Sequence, residues 1–332
     1  MNNQKTSAIS FFLSQTFFLG FGYSLLFYET ASDAWICVII GSIIGLFLIL
    51  LLEYMKNRQE THLLKRPILY KTISILFNMF IYSQILFIFQ TFASSFYLTK
   101  SPTWFVTLPL PFLIYKICKT GYNTIGKLAE MLLPIALFLL FLTFIGLSNH
   151  IDISAFTPIL TTSPTNILKG TLLIATYTTI PYFLFLNAPV KEIHFKKKYL
   201  LSSTMILLTC IFIISVLGPN LIRIYRYPEY AMLKEIKIFN FIEKIENIIS
   251  MVWLFNLGLT LSLSSANIKN CLPTKHQNIF FILILSILYF LSLAESNLYP
   301  KELILYHSLP YIFLSLELIL ILTSFLSYQK RN

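Results

Sequence analysis

Charged residues are scarce in this chain: they make up 12% of its 332 residues, whereas 56% are hydrophobic. Soluble domains carry about 25% charged residues, so the composition excludes an ordinary soluble protein. The polar connections between the apolar runs are also too short to form a soluble domain of their own. We therefore expect one all-α membrane domain that covers residues 1–332.

Sequence motifs of catalysis are missing as well. The chain contains no glycine-rich phosphate loop, no His-Glu-x-x-His zinc helix and no Gly-x-Ser-x-Gly turn. Its four cysteines lack metal-ligand spacing, and its five histidines are scattered at loops and span ends. We therefore expect no enzyme activity, no cofactor, no metal site and no disulfide.

Acidic residues are outnumbered by basic ones, which leaves a net charge of +11. The lysines lie in short connections between apolar runs, where positive-inside orientation explains them better than a nucleic-acid partner does. Most basic residues fall in alternate connections, which predicts that both termini are cytoplasmic. The N-terminal run has no clear cleavage site, so we expect a retained first span. The lipid bilayer is therefore the expected partner, and nucleic acid is not.

About ten apolar runs are long enough for a bilayer, given roughly 20 residues for each crossing helix. We predict spans at 9–28, 34–53, 68–97, 103–118, 125–147, 168–188, 199–218, 244–265, 277–294 and 303–327. The fourth is short and contains Pro109 and Pro111, so its loss would leave nine spans and move the C-terminus to the other side.

Glycine is sparse, with 10 residues, yet two glycines interrupt span one in the sequence Gly20-Phe21-Gly22. Such a pair costs about 2 kcal/mol relative to alanine in a continuous helix. One interpretation is a broken helix that lines a polar site together with Gln15 and Tyr23. The other is that the glycines allow a neighbouring helix to pack closely.

Span six contains Tyr177, Thr178, Thr179 and Pro181 near its middle. Proline removes a backbone donor and frees a carbonyl, and the adjacent hydroxyls can satisfy exposed groups or a ligand. A broken helix and an ordinary proline kink are both open interpretations. Spans one and six lie five apart, as two inverted five-helix repeats with broken helices one and six require.

Ionisable residues inside spans are few. Glu317 lies well inside span ten, where ionisation would cost roughly 2.5–3.5 kcal/mol on insertion. We expect a hydrogen-bonded structural acid, with a role in a proton path as the alternative. Glu130 follows Lys127 by three residues in span five, which predicts an ion pair on one helix face. Gly41 and Gly45 in span two predict a helix-packing face.

The connection at 219–243 is unusual because it is basic on the predicted external side. Periodic apolar residues around Met232, Ile236 and Phe239 predict an amphipathic helix on the membrane surface, where a partner could dock. The polar start of span eight is either a helix cap or a partner contact. Its candidate residues are Glu243, Lys244, Glu246 and Trp253.

Three segments carry a family resemblance. They are Asp33-Ala34-Trp35 leading to Gly41 and Gly45, Gly126-Lys127-Leu128-Ala129-Glu130 followed by Pro134, and Tyr227-Pro228 followed by Phe241-Ile242-Glu243-Lys244-Ile245-Glu246 and Trp253. In span order they resemble the B subunits of spore germination receptors, the endospore germination permeases. Two features differ from that family: Lys244 stands where an arginine is usual, and span six lacks a mid-helix acid.

The resemblance implies a ten-helix fold of the amino acid–polyamine–organocation type, with a ligand pocket between spans one and six. It also implies assembly with a membrane-anchored A subunit and a lipoprotein C subunit. The expected location is the spore inner membrane, or more broadly the cell membrane.

The functional hypothesis is a germinant receptor subunit that binds a small nutrient, an amino acid, at breaks in spans one and six. Backbone amides near Gly20 and Gly22 would hold its carboxylate, helped by the helix dipoles. Tyr177, Thr178 and Thr179 would contact its amine or side chain. Two alternatives are a proton-coupled amino acid permease that uses Glu317 and a scaffold that recruits partners through its external loop.

Overall fold

The computed structural model describes residues 3–58, 68–188, 195–236, 245–273, 275–298 and 303–329. Within these ranges, the regular structure is helical throughout. The α-helices are α1 Asn3–Gln15, α2 Tyr23–Thr30, α3 Ala34–Arg58, α4 Ile68–Phe96, α5 Thr103–Thr107, α6 Pro109–Thr120, α7 Tyr122–Leu147, α8 Pro164–Phe183, α9 Lys196–Leu221, α10 Pro228–Leu233, α11 Ile245–Cys271, α12 Gln277–Leu298 and α13 Leu303–Gln329.

Seven helical stretches in the described residues are long and apolar enough to cross a membrane. One of them, Ala8–Lys56, has 49 residues and covers both of the first two predicted spans. The fourth predicted span is divided between the short helices α5 and α6. Within α13, Ser308–Thr323 forms a shorter apolar stretch. An all-α polytopic membrane protein is therefore confirmed, whereas ten crossings and inverted repeats stay predictions.

The predicted interruption of span one is present. Helix α1 ends at Gln15, a wide π-helical turn follows at Phe18–Gly22, and α2 begins at Tyr23. Leu19 leaves helical geometry, with φ −80° and ψ 50°. The amide of Gly22 donates to the carbonyl of Phe17 at 3.0 Å, so this amide is already paired within the turn.

The predicted break in span six is wrong, because α8 runs without interruption through Pro181. Two of its threonine hydroxyls bond back to their own helix: Thr178 Oγ1 donates to the Ile174 carbonyl at 2.8 Å, and Thr176 Oγ1 to the Leu172 carbonyl at 2.8 Å. Proline removes a backbone donor and crowds the preceding turn, but Pro181 stands only two residues before the end of α8. The helix therefore continues past it and tightens into a 3₁₀ turn at Leu184–Asn187.

The packing face predicted for span two is confirmed. A Cβ atom on Gly41 would lie 2.6 Å from Ile174 Cβ and 2.7 Å from the Thr171 carbonyl oxygen, both in α8. The absence of a side chain at Gly45 leaves room for the hydroxyl of Tyr199 from α9. Helices α3, α8 and α9 therefore pack closely. Helix α1 lies among α7, α8, α9 and α11, which places the interrupted span in the interior.

Asp33, in the connection between the first two spans, holds the loop that precedes α8. Its carboxylate accepts from the backbone N–H groups of Leu160 at 2.8 Å and Thr162 at 2.9 Å, and from the Thr161 hydroxyl. Burial alone would raise the pKa of Asp33, but hydrogen bonds from Thr162, Leu160 and Thr161 outweigh it and lower the pKa.

The prediction that 219–243 forms a helix on the membrane surface is wrong for its described part, which ends at Ile236. Helix α9 is kinked near its end at Gly218, whose φ of 73° suits glycine. Helix α10 then packs against α2, α9 and α11. Met232 is 2% exposed and Ile236 is 6% exposed, because their apolar side chains join the protein core. Phe239 lies outside the described residues.

Candidate functional site

A cavity of about 80 Å³ lies beside the break in span one. Both halves of that span line it, together with α7, α9, α10 and α11. Its lining residues are Phe11, Phe12, Gln15, Phe18, Leu19, Tyr23, Ala136, Leu139, Leu140, Thr143, Phe144, Ile206, Thr209, Glu229, Met232, Leu233, Ile249, Val252, Trp253 and Asn256. At roughly 10–15 Å³ for each water, the space suits several waters or a small organic molecule.

Glu229 supplies the acidic side chain of this cavity wall. It lies in the first turn of α10 and is 1% exposed. Neither of its carboxylate oxygens has a hydrogen-bond partner among the described residues. Burial raises the pKa of Glu229 well above its usual value, because a charged carboxylate loses its hydration there. A buried acid without a partner is costly, so its presence calls for a reason.

Asn256 of α11 contributes a second polar group with an unsatisfied hydrogen-bonding atom. Its Oδ1 accepts from the hydroxyl of Thr16 at 3.1 Å, and that hydroxyl also lies 2.9 Å from the Thr260 hydroxyl. Thr16 belongs to the break in span one, so the break and α11 are joined directly. The amide nitrogen Nδ2 of Asn256 is buried without a partner among the described residues. The wall therefore offers an acceptor in Glu229 and a donor in Asn256.

Two of the ligand contacts predicted in span one, Gln15 and Tyr23, line this cavity. The Tyr23 hydroxyl donates to the Ile206 carbonyl at 3.2 Å, which fixes its ring against α9. Trp253, predicted as a structural or partner residue, also lies in the wall and packs against Phe92 at 6.1 Å between ring centroids.

The structure places the other span-one candidates outside the cavity wall. A Cβ on Gly20 would lie 2.6 Å from the side chain of Ile88, and one on Gly22 would lie 2.7 Å from the Phe17 carbonyl oxygen. Both glycines therefore serve close packing around the turn. The ring of Phe21 contacts Tyr177 of α8 instead, at 5.9 Å between centroids.

Aromatic side chains fill the space predicted as a pocket between spans one and six. Tyr177 stacks on Phe17 at 5.4 Å and meets Phe18 and Phe313 at 6.3 Å. Its hydroxyl is buried and has no partner among the described residues. Tyr177, Thr178, Thr179 and Pro181 are all buried but do not line the cavity.

Thr179 and Glu317 are brought together, although they are 138 residues apart in sequence. Thr179 Oγ1 donates to Glu317 Oε1 at 2.9 Å, while Glu317 Oε2 has no described partner. Beside them, the hydroxyls of Thr178 and Tyr199 lie 2.9 Å apart. The hydrogen bond expected for Glu317 is thus present, at a second polar cluster between α8, α9 and α13.

The remaining predicted residues lie away from both polar clusters. Glu130 is half-buried in α7, and among the described ion pairs there is none between it and Lys127. That predicted pair is therefore wrong. Glu246 is half-buried at the start of α11. Glu243 and Lys244 lie outside the described residues.

Comparison with known proteins agrees with this arrangement of apolar helices. Residues 6–299 match the family described as spore germination protein. The chain belongs to the spore germination protein family. It is also 26% identical, over 243 residues, to YfkT of Bacillus subtilis (strain 168), which is provisionally described as a spore germination protein. That alignment covers 69% of this chain and 68% of YfkT.

All three segments that carried the resemblance lie within the part matched to the spore germination protein family. The site residue that sequence reasoning missed is Glu229. A signal was available, because this acid stands alone in the apolar sequence Pro228-Glu229-Tyr230-Ala231-Met232-Leu233. Asn256 and Thr16 carried no comparable signal, since single polar residues are common within helices.

Proposed function

We propose that this spore germination protein is a nutrient-sensing subunit of a germinant receptor, and that an amino acid is its ligand. In this proposal the ligand enters the cavity beside the break in span one. The observation that supports this proposal is that the wall of this small cavity includes two polar groups without partners among the described residues, the Glu229 carboxyl group and the Asn256 amide nitrogen. Polar groups that converge in an otherwise apolar pocket are typical of small-molecule sites.

The proposal also retains the partners that the resemblance implies, the A and C receptor subunits, in the spore inner membrane. An interrupted helix suits a sensor, since its two halves can move relative to each other when a ligand fills the adjoining space. Binding to the cavity would then shift the population of two arrangements of span one. The differential affinity for the two arrangements would supply the signal.

A cavity-filling variant tests this function. Thr143 of α7 lines the cavity and donates to the Leu139 carbonyl at 2.8 Å. We expect Thr143→Phe to occupy the space with its ring and abolish both germination by amino acids and their stabilisation of the purified protein. A full response in this variant would contradict the proposed site.

A matched control is Thr204→Phe, at an exposed position of α9. In the wild type, the Thr204 hydroxyl donates to the Leu200 carbonyl of its own helix at 2.9 Å, as the Thr143 hydroxyl does to Leu139. This variant should respond like the wild type, because its added ring faces outward. Equal loss in both variants would mean that the substitution disturbs folding rather than the cavity.

A proton-coupled permease is the second candidate, and the buried pair of Thr179 and Glu317 favours it. A carboxyl group inside the membrane with one oxygen unpaired among the described residues is suited to carry a proton. Uptake of amino acids into proteoliposomes separates the two functions. Flux that Glu317→Gln abolishes would favour transport, whereas binding without flux would favour sensing.

A further inference from the structure

The described wall of the cavity contains an acidic residue but no basic residue. Glu229 is acidic, and no lysine, arginine or histidine occurs among the described residues that line the cavity. A ligand carboxylate would therefore find only uncharged donors in the described wall, whereas a ligand ammonium group would find a carboxylate. Bonds between charged partners are roughly twice as strong as neutral ones.

We infer that the ammonium group is the part of the ligand that this cavity recognises, with Glu229 as its acceptor, and that the ligand carboxylate is dispensable. This inference rests on the proposed function, since it assigns a ligand class to the same site. The ligand class consists of small primary amines with a short hydrocarbon chain.

The burial of Glu229 supports this assignment. Both carboxylate oxygens are enclosed by protein and have no partner among the described residues. An isolated carboxylate in such surroundings pays a large cost when it ionises, and an incoming cation offsets that cost. The rest of the wall is mainly apolar and aromatic, and the Tyr23 and Trp253 rings are groups that favour a nearby cation.

A metal ion fits the cavity less well. Hard cations take about six oxygen ligands, several of them carboxylates, and Glu229 is the one carboxylate among the described residues that line the cavity. An amine needs fewer acceptors, and its carbon chain fills the apolar part of the space.

Three matched compounds test the inference: valine, isobutylamine and isovalerate. Isobutylamine is valine without the carboxylate, and isovalerate is valine without the amine. The purified protein in detergent is titrated with each compound, and thermal stabilisation measures binding. We expect isobutylamine to bind at least as tightly as valine and isovalerate not to bind.

Glu229→Gln removes the charge and keeps the side-chain size. Since hydrogen bonds to a charged group contribute about 1.5–3 kcal/mol, we expect amine affinity to fall roughly tenfold to hundredfold. The control is Glu235→Gln, at an exposed acid that follows in the same segment, and it should leave affinity unchanged. An unliganded melting temperature close to that of the wild type would show that the Glu229 variant is folded.

The possible outcomes distinguish failure of the amine assignment from failure of the proposed sensor function. If valine binds but isobutylamine does not, or if Glu229→Gln binds amines normally, the inference is overturned while the sensor proposal stands. If neither valine nor isobutylamine binds, the proposed ligand site fails as a whole. Stabilisation by sodium or potassium chloride alone, lost in Glu229→Gln and without any amine response, would identify an inorganic cation site instead and overturn the amine assignment.

Discussion

Replacement of Gly41 by alanine tests the close packing of α3 on α8 that positions span two. The added methyl carbon would lie 2.6 Å from Ile174 Cβ, whereas ordinary contacts begin at 3.4 Å. The two helices would therefore have to separate by about 0.8 Å, the difference between these distances. The second close atom is a backbone carbonyl oxygen, that of Thr171, so a side-chain rotation cannot relieve the contact.

Overpacking of a close interface costs about 1–3 kcal/mol. Alanine regains up to about 1 kcal/mol through its better helix propensity. Because a contact of 2.6 Å belongs at the severe end of the overpacking range, about 2–3 kcal/mol, we expect a net loss of about 1–2 kcal/mol in the free energy of unfolding. At about 2–4 °C for each kcal/mol, the melting temperature should fall by about 2–8 °C.

The buried cysteines provide the assay. Cys37, Cys118, Cys210 and Cys271 are all buried thiols outside any disulfide, so a thiol-reactive fluorophore labels them only as the protein unfolds. Gly258→Ala is the control, because α11 continues through this position and no described atom outside that helix lies within 4 Å of where the added methyl group would sit. That variant should be as stable as the wild type or slightly more so. An equal rise in melting temperature for Gly41→Ala would refute the close approach of α3 and α8.

Two further stability effects follow from buried hydrogen bonds. Asp33→Asn should lower the free energy of unfolding by about 1.5–3 kcal/mol, because the loop before α8 loses a charged acceptor. Since the folded pKa of Asp33 is lowered, its stabilisation is present above the unfolded pKa of about 3.9 and is lost as pH falls through the folded value. Melting temperatures measured between neutral and acidic pH should therefore converge for wild type and Asp33→Asn, and parallel curves would contradict this. Thr179→Val should cost about 1–3 kcal/mol by leaving Glu317 without its donor. Thr323→Val, which loses only bonds to its own helix, should cost much less in the same melting assay.

Short stretches of the sequence were sufficient to predict several structural features of this protein. The interruption at Gly20-Phe21-Gly22 was predictable, because two glycines within an apolar run weaken a helix whatever surrounds it. The packing face at Gly41 and Gly45 was predictable for a similar reason, since small residues one turn apart let helices approach.

Other local patterns were misleading. Pro181 and its neighbouring threonines predicted a broken helix, yet α8 continues, and the hydroxyls of Thr178 and Thr179 bond to their own helix and to Glu317. The apolar periodicity around Met232 was real, but it faces the protein core rather than the membrane surface. In each case the sequence pattern was compatible with two arrangements, and contacts with distant helices selected one of them.

Hydrophobic run length and glycine content act within a single segment, so the amino-acid sequence is sufficient to predict a helical membrane protein with an interrupted first span. The positions of the groups without partners depend instead on how the helices pack. Glu229 and Asn256 belong to separate helices, and they share one cavity wall because α10 and α11 fold against the break in span one. Burial of a side chain depends on every element that packs around it, so no single stretch of sequence specifies it.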